Sequence, residues 1–452
     1  MCQIMSKLKK QTKLTRCMLF DMPKNDVHVH LPGTISAKTA WELGVKNSLI
    51  KLTKQNNLFK LTNNHIRLNH LLDYNNYIDI FKKFKLNKKG IPKSLKYSIN
   101  SISRFKSFDK IMAIVQGHRH PPGGIQNIDD IKLIFSNYLH DCLKENIIYI
   151  ELQQNIKIAY QIFKQLSPLD ARKKFYLFLD EVRKNFAINK IILKFLHCFN
   201  KTSSSHEKIS TRERSLEGAK WLKEVQKIFP ELFVGLESAG HEKDQTGWPS
   251  HLKDGYHKVK NLNLGCEAHG GEGIGVEHMM DVVNTLPVTR IAHGFQVIED
   301  TYAINKIKNK DITLIMMPII NFNLGVCLHM KKINHKMIPC SKSNGGKKIY
   351  LTDLHEHPFF ELFRKYKLKI TLSSDNPCLG GISLGEIIKI LSGNFGTKHC
   401  QFKPLSAEEF AILTLNAINT IFSKNSYLLK EKLFVWIDKY NLNKEFIINY
   451  YK

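Results

Sequence analysis

Nine cysteines, an odd number at wide spacing and without a single C-x-x-C, are spread over the 452 residues of this chain. That excludes a cysteine-rich zinc module and argues against a disulfide framework, which needs paired cysteines at short spacing. No apolar run approaches the ~20 residues of a membrane-spanning helix. The lysine-bearing N-terminal segment also lacks an apolar stretch of signal-peptide length. These absences predict a soluble protein of a reducing compartment, the cytoplasm. Acidic residues are scarce as well: 40 Asp+Glu face 68 Lys+Arg, a net charge of +28. Such an excess suits nucleic acid, an anionic membrane or a phosphorylated substrate. Lysines run through nearly every segment, however, so the charge reads as a property of the whole surface. Neither nucleic acid nor membrane is expected as a partner. No G-x-G-x-x-G follows the first predicted strand, which counts against a dinucleotide site.

What the chain does have is organised around Asp26-Val27-His28-Val29-His30-Leu31-Pro32-Gly33. Side chains two apart on a strand share a face, so both imidazoles can aim at one point. Pro32-Gly33 ends the strand and places the pair at its C-terminal end. Neutral imidazoles in such pairs are good ligands for divalent transition metals.

Apolar strand-like runs recur at 147–152, 190–199, 232–237, 262–268, 288–293, 312–319 and 368–374. Helical periodicity separates most of them, as at 129–145 and 170–185. With the first strand this makes eight β units, which predicts a (β/α)8 barrel in one domain spanning 1–452, with a doubly wound sheet as the alternative. Residues 46–110, rich in Lys and Asn, predict a helical insertion after strand 1, placed at the barrel mouth. A second H-x-H, His118-Arg119-His120, precedes Pro121-Pro122-Gly123-Gly124 and reads as a loop over the pocket rather than a metal site. Ser406-Ala407-Glu408-Glu409 has the pattern of a capping box and predicts a structural helix behind it.

Further polar groups stand at the ends of the later strands: His269 with Glu272 three residues on, His293 after Arg290-Ile291-Ala292, and Asp375 after Ser373-Ser374. All C-terminal strand ends of a (β/α)8 barrel open onto one mouth, so these groups are expected to converge there. Three histidines and a carboxylate can hold a metal and leave a position for water. Glu272, with no cationic neighbour in sequence, is expected to be the proton-transfer group.

In that order and spacing the motifs His28-Val29-His30-Leu31, His269-Gly270-Gly271-Glu272, Arg290-Ile291-Ala292-His293-Gly294 and Ser374-Asp375-Asn376-Pro377 resemble those of the adenosine deaminase family of metal-dependent hydrolases. Gly235 to Glu242 is similar to that family's substrate loop, and the tail from Leu405 to Phe422 is similar too. The resemblance implies one zinc per chain held by His28, His30, His269 and Asp375. It implies that His293 orients or deprotonates the attacking water, that Glu272 protonates the purine N1, and that the Gly240 backbone contacts N3. The implied activity is hydrolytic deamination of adenosine or a related 6-aminopurine nucleoside, with release of ammonia. Three positions depart from the family pattern. Pro32 replaces an Asp that reaches the ribose 5′ hydroxyl, Asn376 replaces an Asp facing N7, and Met317-Pro318-Ile319-Ile320-Asn321 replaces C-P-x-S-N. None is an implied metal ligand or proton carrier, so the chemistry is better specified than the substrate. A 5′-modified nucleoside, AMP and free adenine stay open as alternatives, as does a binding protein without catalysis. Asn376, whose amide donates at every pH, is expected to take over the contact to N7.

Overall fold

The computed structural model describes residues 11–36, 125–201, 209–240, 247–324, 326–351, 354–378, 382–393 and 403–452, with Glu242 and a few positions between 39 and 61. The strands in chain order are β1 (Lys24–His30), β2 (Ile50–Leu52), β3 (Phe59–Leu61), β4 (Ile147–Gln154), β5 (Ile192–Asn200), β6 (Phe233–Ala239) and β7 (Gly265–Gly270). They continue with β8 (Arg290–His293), β9 (Thr313–Met316), β10 (Cys327–Ile333), β11 (Lys336–Pro339), β12 (Lys347–Tyr350) and β13 (Ile370–Leu372). Eight of them form one parallel sheet in the order β1-β4-β5-β6-β7-β8-β9-β13. The ends of that sheet meet through a parallel bridge between Val29 and Asp375. His30 N donates to Asp375 O at 2.8 Å and Asp375 N donates to His28 O at 3.0 Å on either side of the bridge. The sheet is thereby a (β/α)8 barrel, and every predicted strand run has its strand.

The strands form where both faces can be buried. All eight residues of β4 are buried, as expected of a barrel strand with side chains inside and helices outside. Helix starts follow local chemistry. Asn127 caps the helix Ile128–Lys144 by accepting from the N–H groups of Asp129 and Asp130. Ser210 with Glu213, Ser383 with Glu386 and Ser406 with Glu409 form capping boxes. Pro168 opens the helix Pro168–Ile188 in its first turn, where no N–H is missed. Among the described residues no helix is long and apolar enough to cross a membrane.

Two features differ from expectation. Within the insertion predicted to be helical, β2 and β3 pair as antiparallel strands, Lys51 opposite Lys60. Ile-Lys-Leu and Phe-Lys-Leu alternate with period two, a strand pattern that the Lys/Asn-rich composition hides. Residues 62–110 and the His118-Arg119-His120 motif lie outside the described residues. Secondly, β10, β11 and β12 form a separate antiparallel sheet between β9 and β13, in the order β11-β10-β12. Asn334 and His335 turn the β10–β11 hairpin with φ of 46° and 63°, the left-handed pair that a two-residue hairpin loop requires. The base of this sheet is fixed beside the mouth by Gln296 Nε2 donating to Cys327 O at 3.0 Å and His329 N donating to Glu299 Oε1 at 2.8 Å.

Candidate active site

The seam that closes the barrel also assembles the metal-type cluster. β1 carries His28 and His30, and the bridging residue Asp375 follows β13, so three of the four expected ligands flank one hydrogen-bonded junction. Asp375 Oδ1 lies 3.5 Å from His30 Nε2 and 3.9 Å from His28 Nε2. His269, at the end of β7, completes the group, its ring centre 5.0 Å from that of His28 and 5.5 Å from that of His30. One nitrogen from each of the three rings falls within 4.8 Å of the others. Ligand atoms on a tetrahedron of ~2.05 Å bonds stand about 3.3 Å apart, so this donor set fits one small ion with little movement.

Protonation and orientation agree with that fit. His28 Nδ1 meets Glu267 Oε1, and His269 Nδ1 meets Glu237 Oε1 at 2.5 Å. A carboxylate on Nδ1 holds the proton there and turns the Nε2 lone pair to the cluster, the arrangement that supports metal-bound histidines. His28 Nε2 is buried with no hydrogen-bond partner. Burial lowers His28 to about 4 and His30 to about 3 and holds His269 well below the usual imidazole range, so the rings are neutral. Burial, with Glu237, Asp26 and Glu267 nearby, pushes Asp375 well up. Such crowding of buried carboxylates is relieved by a cation.

Beside the cluster, Glu272 Oε1 lies 3.5 Å from His293 Nε2. Sequence reading saw Glu272 without a cationic neighbour, whereas the fold sets it against this ring. Burial keeps His293 neutral, well below the ordinary value. Asn321, from the helix Pro318–Leu324, places its Nδ2 2.9 Å from His293 Nδ1. His293 and Asp375 both have left-handed backbones, with φ of 67° and 57°. Non-glycine residues in that region mark a site held by its surroundings at a cost of order 1–3 kcal/mol. Gly240, at the end of β6, has φ 107°, a conformation that side-chain-bearing residues rarely adopt.

Asn376 is buried, and its Nδ2 donates to Asp375 Oδ1 at 2.6 Å while Oδ1 has no partner. With Asp375 as a carboxylate, the opposite amide orientation would set two oxygens together. One amide N–H is thus committed to Asp375, and only the second can serve a ligand. Gly33 packs so tightly on Asn376 that a Cβ there would lie 2.3 Å from its Oδ1.

Sequence reading missed the residues that hold these groups. Arg290 is fully buried and bridges Glu267 and Glu151, with its guanidinium 3.7 Å over the Phe422 ring. Glu237, Glu267, Glu151 and Arg290 interrupt strands that are otherwise apolar. A charge where only a core side chain fits was the available signal, because buried charges need partners. Arg290→Met is expected to lower stability by about 3–5 kcal/mol, since it strands two buried carboxylates. Denaturant unfolding at neutral pH measures it, and a loss below about 1 kcal/mol would show that the carboxylates are neutralised without the arginine.

Comparison with known proteins supplies the family. The family model described as adenosine deaminase matches residues 85–424. Adenosine deaminase of Plasmodium gallinaceum is 27% identical over 247 residues, 51% of this chain and 61% of that protein. Adenosine deaminase of Clostridium perfringens is 22% identical over 92% of this chain and 98% of its own length. Adenine deaminase of Ectopseudomonas mendocina is 24% identical over 60% of this chain and 72% of its own length. Among solved structures, an adenine deaminase from Arthrobacter aurescens superposes with a TM-score of 0.64 at 15% identity, covering 92% of this chain and 99% of that one. An amidohydrolase from Burkholderia ambifaria, solved with bound zinc, gives 0.63 at 14% identity, covering 96% of each chain. With the family model matching residues 85–424, this chain belongs to the adenosine deaminase family and is a hydrolase acting on carbon–nitrogen bonds.

Proposed function

We propose that the protein is a zinc-dependent deaminase of adenosine or a related 6-aminopurine nucleoside, releasing the 6-oxopurine and ammonia. The observation that carries this reading is the convergence of His28, His30, His269 and Asp375 with Glu272 and His293 at one end of the barrel. The Burkholderia ambifaria neighbour was solved with zinc, and the donor set here suits the same ion. His28, His30, His269 and Asp375 would hold the ion, whose chemistry when bound would be to lower the pKa of water to about 7. Glu272 gives its proton to N1, drawing electron density from C6 so that attack there becomes feasible. His293 holds the attacking oxygen. Asn321, 2.9 Å from Nδ1, holds the ring in place so that Nε2 can orient or deprotonate that oxygen. Gly240 offers its backbone to N3, and the second Nδ2 hydrogen of Asn376 is available to N7.

One observation favours a second reading, free adenine or a 5′-modified nucleoside. Pro32, in the short turn Leu31–Thr34 that follows β1, has no side-chain donor or acceptor for a 5′ hydroxyl, and proteins similar to this chain include adenine deaminases. Ammonia release across adenosine, deoxyadenosine, AMP, adenine, a 5′-thio-nucleoside and 7-deazaadenosine separates these. The expected result is turnover of adenosine, with 7-deazaadenosine slower by the equivalent of about 1–3 kcal/mol for the lost N7 contact. Turnover of adenine alone would select the second reading, and no ammonia from any of them would end both.

A further inference from the structure

Glu242 lies in the loop after β6 and is fully enclosed, yet none of the roles above uses it. Its carboxylate accepts from three consecutive backbone N–H groups. Oε1 and Oε2 are each 3.2 Å from Glu272 N, and Oε2 is 2.8 Å from Gly273 N and 3.4 Å from Ile274 N. These N–H groups belong to the segment between β7 and the helix Val276–Thr285, where strand and helix pairing leave the backbone unsatisfied. A carboxylate is suited to such a cradle, because charge-assisted bonds to N–H are about twice as strong as neutral ones. His278 Nδ1, on that helix, stands 3.4 Å from Glu242 Oε1, with the Trp248 ring edge-on to it at 4.9 Å. Buried Lys201, beyond β5, donates to His269 O at 3.2 Å and adds positive potential. Against the cost of burial, His278, Lys201 and the Gly273 N–H hold Glu242 well below the ordinary carboxylate value. Its contacts make it an acceptor for the cradle rather than a proton carrier.

We propose that Glu242 is a positioning residue for Glu272: its carboxylate clamps the 272–274 backbone and so sets where the proton-donating side chain stands over the substrate ring. The clamp crosses from the loop after β6, which also carries Gly240, to the loop after β7, which carries Glu272. It thereby ties the segment expected to touch the purine to the segment expected to protonate it. This rests on the reading of Glu272 as the proton donor. Proton transfer requires hydrogen-bond distance, and a misplacement of about 1 Å costs on the order of 10²-fold in rate.

The test is a double-mutant cycle on the metal-loaded full chain with the best substrate. Glu242→Ala is expected to lower kcat on the order of 10²-fold, with KM within about threefold and metal content unchanged. Glu242→Gln, which keeps one acceptor oxygen for the cradle, is expected to recover most of the loss. In a Glu272→Gln background, Glu242→Ala is expected to cost less than about threefold further, because two residues acting through one step are not additive. If Glu242→Ala does not fold, Glu242→Met, which fills a similar volume without an acceptor for the cradle, makes the same comparison in both backgrounds. Equal losses in both backgrounds, or a kcat loss that only follows lost metal, would overturn the clamp. Glu272→Gln with wild-type kcat would instead overturn the proton-donor reading and the proposal built on it.

Discussion

Glu272→Gln is expected to keep its metal and lose turnover on the order of 10⁴-fold, the upper end of what one positioned acid supplies. The effect is large because N1 protonation removes electron density at the carbon under attack, and water cannot replace a buried donor. Glu272 is 7% exposed and stands 3.5 Å from His293 Nε2; with His293 it groups around His269, which also belongs to the His28 and His30 group. A Gln side chain keeps the shape and hydrogen bonding but has no proton of comparable acidity to give. Metal analysis alongside kcat checks it. More than a tenth of wild-type turnover, or loss of metal with the substitution, would move Glu272 out of the proton-transfer role.

His269→Ala should abolish metal binding at micromolar zinc and with it activity, again on the order of 10⁴-fold, because in the proposed mechanism the ion is what makes water nucleophilic at neutral pH. Its loss is expected to exceed that from changing a supporting carboxylate such as Glu237, typically 10–100-fold for an outer partner of a metal ligand. Removing the ring also leaves Glu237 buried beside Glu267 without the imidazole at its Oε1. Thermal stability is therefore expected to fall with metal content. Zinc content by elemental analysis, with activity before and after chelation and re-addition, measures this. Full activity of the metal-free protein would sink the metal mechanism whatever residues are changed.

The outline of this protein was legible from local sequence. Short apolar runs and caps such as Ser406 with Glu409 depend on neighbours within a few residues, so eight β units could be placed without a fold in hand. The positions of His28, His30, His269, Glu272, His293 and Asp375 followed, because a barrel sends every strand end to one mouth. Tertiary structure alone decided which atoms face each other. Glu267 reaches His28 over 239 residues of chain, Glu237 reaches His269 over 32, and Glu242 reaches the Glu272 backbone over 30. Those pairings are set by strand register and by loop paths across neighbouring strands, and no local pattern encodes either. The same holds for Asn376, whose amide is oriented by Asp375 next to it only because the Val29–Asp375 bridge turns that backbone into the barrel seam. Residue types settled the chemistry available to the site, whereas packing settled which atoms face one another.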